Sequence, residues 1–268
     1  PFDARPLRGL PAYPCRSYPF PMITLRELTK VFGTQTAVGG LSLEIPAGQI
    51  VGFLGPNGAG KSTTLKMITG MLKPTSGTAI IAGHDLTTDP MAVKRSVGFV
   101  PESGALYESL SGLEYLRMVA SLYGIAAEQA DARIAEFIQF FDLTWDVLTE
   151  KLLAAYSKGM RRKIVIISAL LHNPPVLLFD EPLDGLDVNA AMGFKTLIQT
   201  LAKQGRTIVY SSHILDVVEK VCDRVVIINQ GKLVLDGAPA VVSAANGGRS
   251  LEEIFTALTG GDQLREKA

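Results

Sequence analysis

Alternating and continuous apolar runs divide the chain into three stretches. From Met22, Ile23-Thr24-Leu25-Arg26-Glu27-Leu28 and Leu41-Ser42-Leu43-Glu44-Ile45 alternate apolar with polar residues, as half-exposed antiparallel strands do. Pro46-Ala47-Gly48 turns the chain into Ile50-Val51-Gly52-Phe53-Leu54, a continuous run that predicts a buried strand. Thr63-Thr64-Leu65-Lys66-Met67-Ile68 reads as the first turns of a helix, and Val97-Gly98-Phe99-Val100 as a short buried strand. From about 112 to 171 the period is helical: Leu113, Leu116, Val119 and Ala120, then Ile134, Phe137, Ile138 and Phe141. Continuous runs return at Val176-Leu177-Leu178-Phe179, Thr207-Ile208-Val209-Tyr210 and Arg224-Val225-Val226-Ile227-Ile228, separated by helical patterns at about 188–203 and 214–221. Gly231–Gly237 completes a hairpin, and short helices at about 238–245 and 251–259 follow. The alternation of strand and helix predicts an α/β fold with a mainly parallel sheet core, an antiparallel β-subdomain before it and a helical subdomain within it.

Four of the apolar runs end in polar or glycine-rich residues. They lead into Gly55, Pro101-Glu102, Asp180-Glu181 and Ser211-Ser212-His213. Open α/β sheets bind ligands beyond the carboxyl ends of their strands, so these loops are expected to line one site.

The first of them carries the most specific chemistry. Gly55-Pro56-Asn57-Gly58-Ala59-Gly60-Lys61-Ser62 fits G-x-x-x-x-G-K-[ST], the P-loop, and lies between a strand and a helix as that motif requires. Its glycines let backbone N–H groups converge on phosphate at a helix N-terminus. Lys61 can neutralise the outer phosphates, and Ser62 can offer an oxygen to Mg²⁺. The fold is therefore expected to be a P-loop NTPase. Asp180, at the end of an apolar strand, suits a second Mg²⁺ ligand. Glu181 beside it suits the base that deprotonates an attacking water. His213 can hydrogen-bond a terminal phosphate and that water. In Tyr156-Ser157-Lys158-Gly159-Met160-Arg161-Arg162, Ser157 suits an N-cap and Gly159 a close backbone approach; taken alone, the stretch reads as a capped helix start followed by a basic turn.

Composition removes several other classes. The chain has 268 residues, 47% of them hydrophobic, enough for a large core. Its 26 basic and 26 acidic residues cancel, which gives no support to non-specific nucleic-acid binding. Cys15 and Cys222 lack metal-ligand spacing and suggest a reducing compartment. His84, His172 and His213 make no zinc pattern. No apolar run approaches the ~20 residues that span a bilayer. The first 21 residues are crowded with proline and have no apolar signal core. They are expected to be a disordered leader foreign to the fold, with Met22 the natural start.

In this order the segments resemble the nucleotide-binding subunit of an ATP-binding cassette (ABC) transporter, from about Met22 to Leu258. Gly55-Pro56-Asn57-Gly58-Ala59-Gly60-Lys61-Ser62-Thr63 matches its Walker A motif and Leu178-Phe179-Asp180-Glu181-Pro182 its Walker B. Tyr156–Met160 sits where the family's signature sequence sits. Asp184-Gly185-Leu186-Asp187 matches the D-loop, His213 the switch histidine, and Phe32 the aromatic that stacks on adenine. The resemblance implies a cassette over residues 22–236, with a helical subdomain at 103–172 that touches a membrane partner, and a short helical tail at 237–268. It implies Glu181, His213 and Lys61 as catalytic groups, and Ser62, Asp180 and Glu102 around Mg²⁺. It further implies a head-to-tail dimer in which ATP lies between Walker A of one subunit and Ser157 and Gly159 of the other, with the D-loop Asp187 also among the nucleotide-binding residues. Glu102 replaces the family's usual glutamine, Lys158 the first signature glycine and Met160 the signature glutamine. The variant signature, with Ser250-Leu251-Glu252-Glu253-Ile254-Phe255, looks like the branch whose membrane subunits are separate proteins, many of them bacterial exporters. The expectation is an ATP-hydrolysing motor at the cytoplasmic face of a bacterial inner membrane, working as a homodimer or with another cassette on an integral membrane permease, and not on nucleic acid. The alternative is a non-transport ABC-type ATPase acting on a macromolecular partner. Those usually carry two cassettes or a long insertion, whereas here fewer than a hundred residues separate Gly60 from Ser157. A small-molecule P-loop kinase would need neither signature nor switch histidine.

Overall fold

The computed structural model describes residues 20–103, 106–212 and 215–260. In chain order its elements begin with β1 (Ile23–Phe32), β2 (Gln35–Ile45), β3 (Ile50–Leu54), α1 (Lys61–Ile68), β4 (Ser76–Ile81), β5 (His84–Asp85), α2 (Pro90–Ser96) and β6 (Val97–Val100). Helices α3 (Gly112–Leu122), α4 (Ala127–Phe140), α5 (Trp145–Glu150) and α6 (Lys158–Leu170) come next. The chain then runs through β7 (Val176–Asp180), α7 (Val188–Lys203), β8 (Thr207–Ser211), α8 (Leu215–Val221), β9 (Arg224–Asn229), β10 (Lys232–Gly237), α9 (Pro239–Ala245) and α10 (Leu251–Thr259).

One sheet has the order β2-β1-β4-β5 and is antiparallel throughout. The other has the order β10-β9-β3-β8-β7-β6 and is parallel except for β10. The burial patterns explain the division. Every residue of β3, β7 and β8 is buried, as in strands covered on both faces, whereas β1 and β2 mix buried with exposed positions. Successive side chains of the parallel strands serve two different cores. Leu54, Leu177, Phe179, Ile208, Tyr210 and Ile227 join the helices α3, α4, α6 and α7. Val51, Phe53, Leu178, Val209, Val226 and Ile228 join the antiparallel sheet and α1.

The hairpin β1–β2 runs further than its alternation predicted, because its tip is polar (Thr29, Lys30, Gln35, Thr36) and held by main-chain pairing. Its register shifts around Leu25–Leu28, where Glu27 has φ 48°. Strand β4 gave no alternating signal. It opens on Ser76-Gly77, yet pairs with β1 from Ile23↔Ile81 to Thr29↔Ser76. Met22 is fully buried, and its backbone pairs with Ile45 and Ala82. The leader expected at residues 1–21 lies outside the described residues up to position 19. The four strands whose carboxyl ends were expected to converge, β3, β6, β7 and β8, are all parallel in the second sheet, so those ends share one edge.

Candidate functional site

At that edge β3 passes through the glycine loop into α1. Gly60 is the N-cap of α1 with φ 103°, and a Cβ there would stand 2.5 Å from the Ala37 carbonyl oxygen. Gly55 is equally confined, since a Cβ would meet the Ile228 carbonyl at 2.4 Å. The loop is thus wedged between β2 and β9, and a side chain at either position would push it out of place. Asn57 and Gly58 are exposed, Pro56, Lys61, Ser62 and Thr63 half-buried, and Ala59 buried with its carbonyl bonded to the Gly231 N–H. No acidic residue occupies the first turn of α1, which leaves its N-terminal N–H groups and dipole to an anion. The Lys61 ammonium folds back over the loop and donates to the carbonyls of Gly55 (2.6 Å) and Pro56 (3.1 Å). Burial lowers the Lys61 pKa, and the carboxylates of Glu181, Asp180 and Glu102 oppose that shift. The cation expected to meet phosphate thus feels the charge of all three acidic groups expected around it.

Asp180 ends β7 almost fully buried, and its Oδ1 accepts a hydrogen bond from Ser211 Oγ at 2.6 Å. The same hydroxyl accepts from the Glu181 N–H at 3.2 Å. Glu181 itself has φ 47°, an uncommon conformation for a residue with a Cβ. Glu102, beyond β6, is exposed. The sequence marks Ser211 only as a polar strand end; its supporting role comes from the pairing Asp180↔Ser211 between β7 and β8.

On the other side of these loops stands the N-terminus of α6. Ser157 caps it, accepting from the Met160 N–H at 3.2 Å. Gly159 packs closely on the following loop, since a Cβ there would lie 2.8 Å from the Gly185 carbonyl oxygen. Lys158 Nζ donates to both carboxylate oxygens of Asp184 at 2.8 and 2.9 Å. Asp187 caps α7 by accepting from the Ala190 N–H at 2.8 Å, and that bond holds its carboxyl below the usual range. Phe32 stands at the hairpin end, 49% exposed, with Lys30 Nζ 5.0 Å from its ring centre. His213 falls outside the described residues.

The donors suit Mg²⁺ chemically. Ser62 offers a hydroxyl and Asp180 a carboxylate, both hard oxygens, and Glu102 adds a third. Among the described residues no group of three His, Cys, Asp or Glu side chains could hold a metal unaided, so the set fits an ion that takes its remaining ligands from phosphate and water.

A parallel sheet with a phosphate loop, a buried strand-end aspartate and an adjoining glutamate defines a P-loop nucleoside triphosphatase. The family model described as ABC transporter matches residues 38–184. The chain belongs to that family and is an ATP-binding cassette ATPase. It is 37% identical over 240 residues to the ABC transporter ATP-binding protein NatA of Bacillus subtilis (strain 168), covering 87% of this chain and 96% of that one. It is 36% identical over 224 residues to the daunorubicin/doxorubicin resistance ATP-binding protein DrrA of Streptomyces peucetius, covering 84% and 67% respectively. A dimeric ATP-binding cassette in a post-hydrolysis state, bound to ADP and Pi, superposes with a TM-score of 0.75 at 25% identity, over 81% of this chain and 98% of that one.

Proposed function

We propose that the chain is the ATP-hydrolysing motor of an exporter whose membrane-spanning subunit is a separate protein. Among the described residues no helix is long and apolar enough to cross a membrane, and the similar proteins are named as transporter or drug-resistance ATP-binding proteins. The observation that carries the chemistry is that the glycine loop with Lys61 follows β3 while the Asp180–Glu181 pair ends β7, two strands that run parallel in one sheet and present those ends at the same edge.

In this reading Gly55, Pro56, Asn57, Gly58, Ala59, Gly60 and Thr63 cradle the phosphates with backbone amides, and Phe32 stacks on the adenine. Lys61 neutralises charge on the outer phosphates. Ser62 and Asp180, with Glu102, would hold Mg²⁺, which supplies further charge neutralisation. Glu181 takes the proton of a water aligned with the γ-phosphate, and His213 steadies that phosphate. Ser157, Gly159 and Asp187 of a second cassette close the site from the far side, bringing a helix N-terminus to the anion. ATP then bridges two surfaces, and its hydrolysis cuts the bridge. The residues divide functionally into a cassette at 22–236, a helical subdomain at 103–172 and a C-terminal tail at 237–268. The exposed Tyr107 and the adjoining Leu106 and Glu102 lead from the sheet into the helices, where a cytoplasmic helix of the permease would dock at the inner face of the membrane.

Affinity purification of the full chain from native membranes tests this. The expected result is co-purification of an integral membrane protein that stimulates ATP hydrolysis. Recovery of ribosomes or DNA without a membrane protein would favour the non-transport alternative.

A further inference from the structure

One charged side chain of α6 has no place in the reading above. Arg162 is 5% exposed, although it follows Arg161 and precedes Lys163 at the start of a helix. Every hydrogen bond it makes among the described residues ends on a backbone carbonyl. Nε donates to Pro182 at 3.0 Å, and Nη1 to Pro101 at 2.5 Å and Glu102 at 3.3 Å. Nη2 donates to Asp180 at 2.8 Å and to Glu181. The fork thus spans the loops beyond β6 and β7, two segments far apart in the sequence. Burial lowers its pKa, and the negative charges of Asp184, Asp180, Glu181 and Glu102 oppose that shift in part. A buried cation is costly unless it is met this fully.

The contact with Glu181 has a particular consequence. Glu181 sits at φ 47°, and such a conformation persists where the surroundings hold the peptide from more than one side. Ser211 fixes the N–H of Glu181 and Arg162 its carbonyl. Together they set the direction in which the Glu181 side chain leaves the backbone. Arg162 also lies five positions beyond Ser157, on the helix that Ser157 caps.

We propose that Arg162 is a positioning residue for ATP hydrolysis: it locks the peptide carbonyls of Glu102 and Glu181 to α6, so that the Glu181 carboxylate is aimed at the attacking water only while α6 is in place. The proposal rests on the reading of Glu181 as the base. Glutamine at 162 retains polarity but removes the fork and the charge. Lysine retains the charge but gathers its three donors on one nitrogen, which cannot span both loops.

The test uses the full chain carrying Arg162→Gln, Arg162→Lys, Glu181→Gln and the double variant Arg162→Gln/Glu181→Gln. Affinity is read with a fluorescent ATP analogue and turnover with ATP. Misplacing a catalytic group by about an ångström can cost on the order of 10²-fold, so Arg162→Gln is expected to lower kcat roughly 10- to 100-fold with affinity within about threefold of wild type. Arg162→Lys should fall between the two and covers the case in which the glutamine variant does not fold. The double variant should be no more than about threefold slower than Glu181→Gln alone, because a residue acting through Glu181 has little left to lose once that base is gone. Wild-type turnover in Arg162→Gln or in Arg162→Lys would overturn the proposal. So would a parallel loss of ATP affinity, or a loss that multiplies in full with that of Glu181→Gln. Wild-type turnover in Glu181→Gln would remove the base assignment and this proposal together, whereas a slow Glu181→Gln beside a fast Arg162→Gln would remove Arg162 alone.

Discussion

The phosphate loop and the carboxylate junction share one sheet edge, but they are assembled differently. Gly55 to Thr63 is a run of consecutive residues whose backbone is proposed to do the binding, and its glycines fit because β2 and β9 press on them. The junction draws on Glu102 after β6, Asp180 at the end of β7 with Glu181 next to it, Ser211 at the end of β8 and Arg162 on α6. Only α6 and β7 follow one another in the chain; the ends of β6 and β8 come from elsewhere in the sequence. A backbone cradle can be specified by a short motif, whereas a junction of side chains from separate strands needs the sheet order before it exists. The loop should therefore hold nucleotide whatever happens to the junction, and the junction should govern turnover.

Separating the two functions gives the largest expected effect. Glu181→Gln keeps shape and hydrogen bonding but removes the basic oxygen. It should bind ATP as the wild type does and turn over on the order of 10²–10⁴-fold more slowly. Unhydrolysed ATP should then hold two cassettes together, visible as a dimer in sedimentation with ATP and a monomer without it. A variant that stays monomeric in saturating ATP and hydrolyses at the wild-type rate would break both the base assignment and the sandwich. Slow hydrolysis without dimers would leave the base standing and point to a different cassette as partner.

The contrast between the two regions also explains what the sequence disclosed. The parallel strands, the glycine loop and the strand-end aspartate were legible because each is a local pattern. Strand β4 was not, since Ser76-Gly77-Thr78 carries no alternation and its pairing with β1 is decided at long range. Arg162 looked like one member of a solvated basic turn. A signal was present, however. Arg162 shares a helical face with Val165, Ile166 and Ala169, all buried, which places it inward while Arg161 faces solvent to pair with Glu108 at 2.7 Å. Ser211 could be seen as a polar strand end but not as the hydroxyl shared by Asp180 and Glu181, because that sharing depends on β7 lying beside β8.

The far end of α6 offers a smaller effect, one read by pH. His172 follows α6, stacks on Tyr123 with ring centres 3.8 Å apart and reaches the Val97 carbonyl of β6 through Nε2 at 3.2 Å. Its Nδ1 is buried and has no hydrogen-bond partner among the described residues. Burial pushes its pKa down to about 4, with Arg133 adding to the shift. An unfolded histidine titrates near 6.5, so below that pH the unfolded chain binds the proton more tightly. The stability held by neutral His172 is complete above pH ~6.5 and drains away as pH falls toward ~4, by at most about 3 kcal/mol. His172→Gln does not titrate there. Urea unfolding from pH 7.5 to 4.5 should therefore show the wild type losing stability faster than the variant. Parallel curves would mean that the imidazole is not the titrating anchor.

The smallest effect is expected where α6 meets the junction in water. Lys158 and Asp184 form an ion pair between the same helix and the same loop that Arg162 ties from inside, but their side chains are 71% and 49% exposed. Exposed pairs gain little over hydration, fix two side chains and are screened by salt, so the pair should stabilise by less than about 1 kcal/mol. Lys158→Gly restores the glycine that the family's signature usually carries. It should shift the urea midpoint only slightly, and the difference from wild type should shrink further as salt is raised to 1 M, where screening acts within about 3 Å. Arg162→Gln, by contrast, should show no such relief, because salt does not reach a guanidinium buried among five carbonyls. Burial, rather than formal charge, is the variable that separates the two bridges. A Lys158→Gly variant as damaged as Arg162→Gln, and equally damaged at high salt, would contradict that ranking.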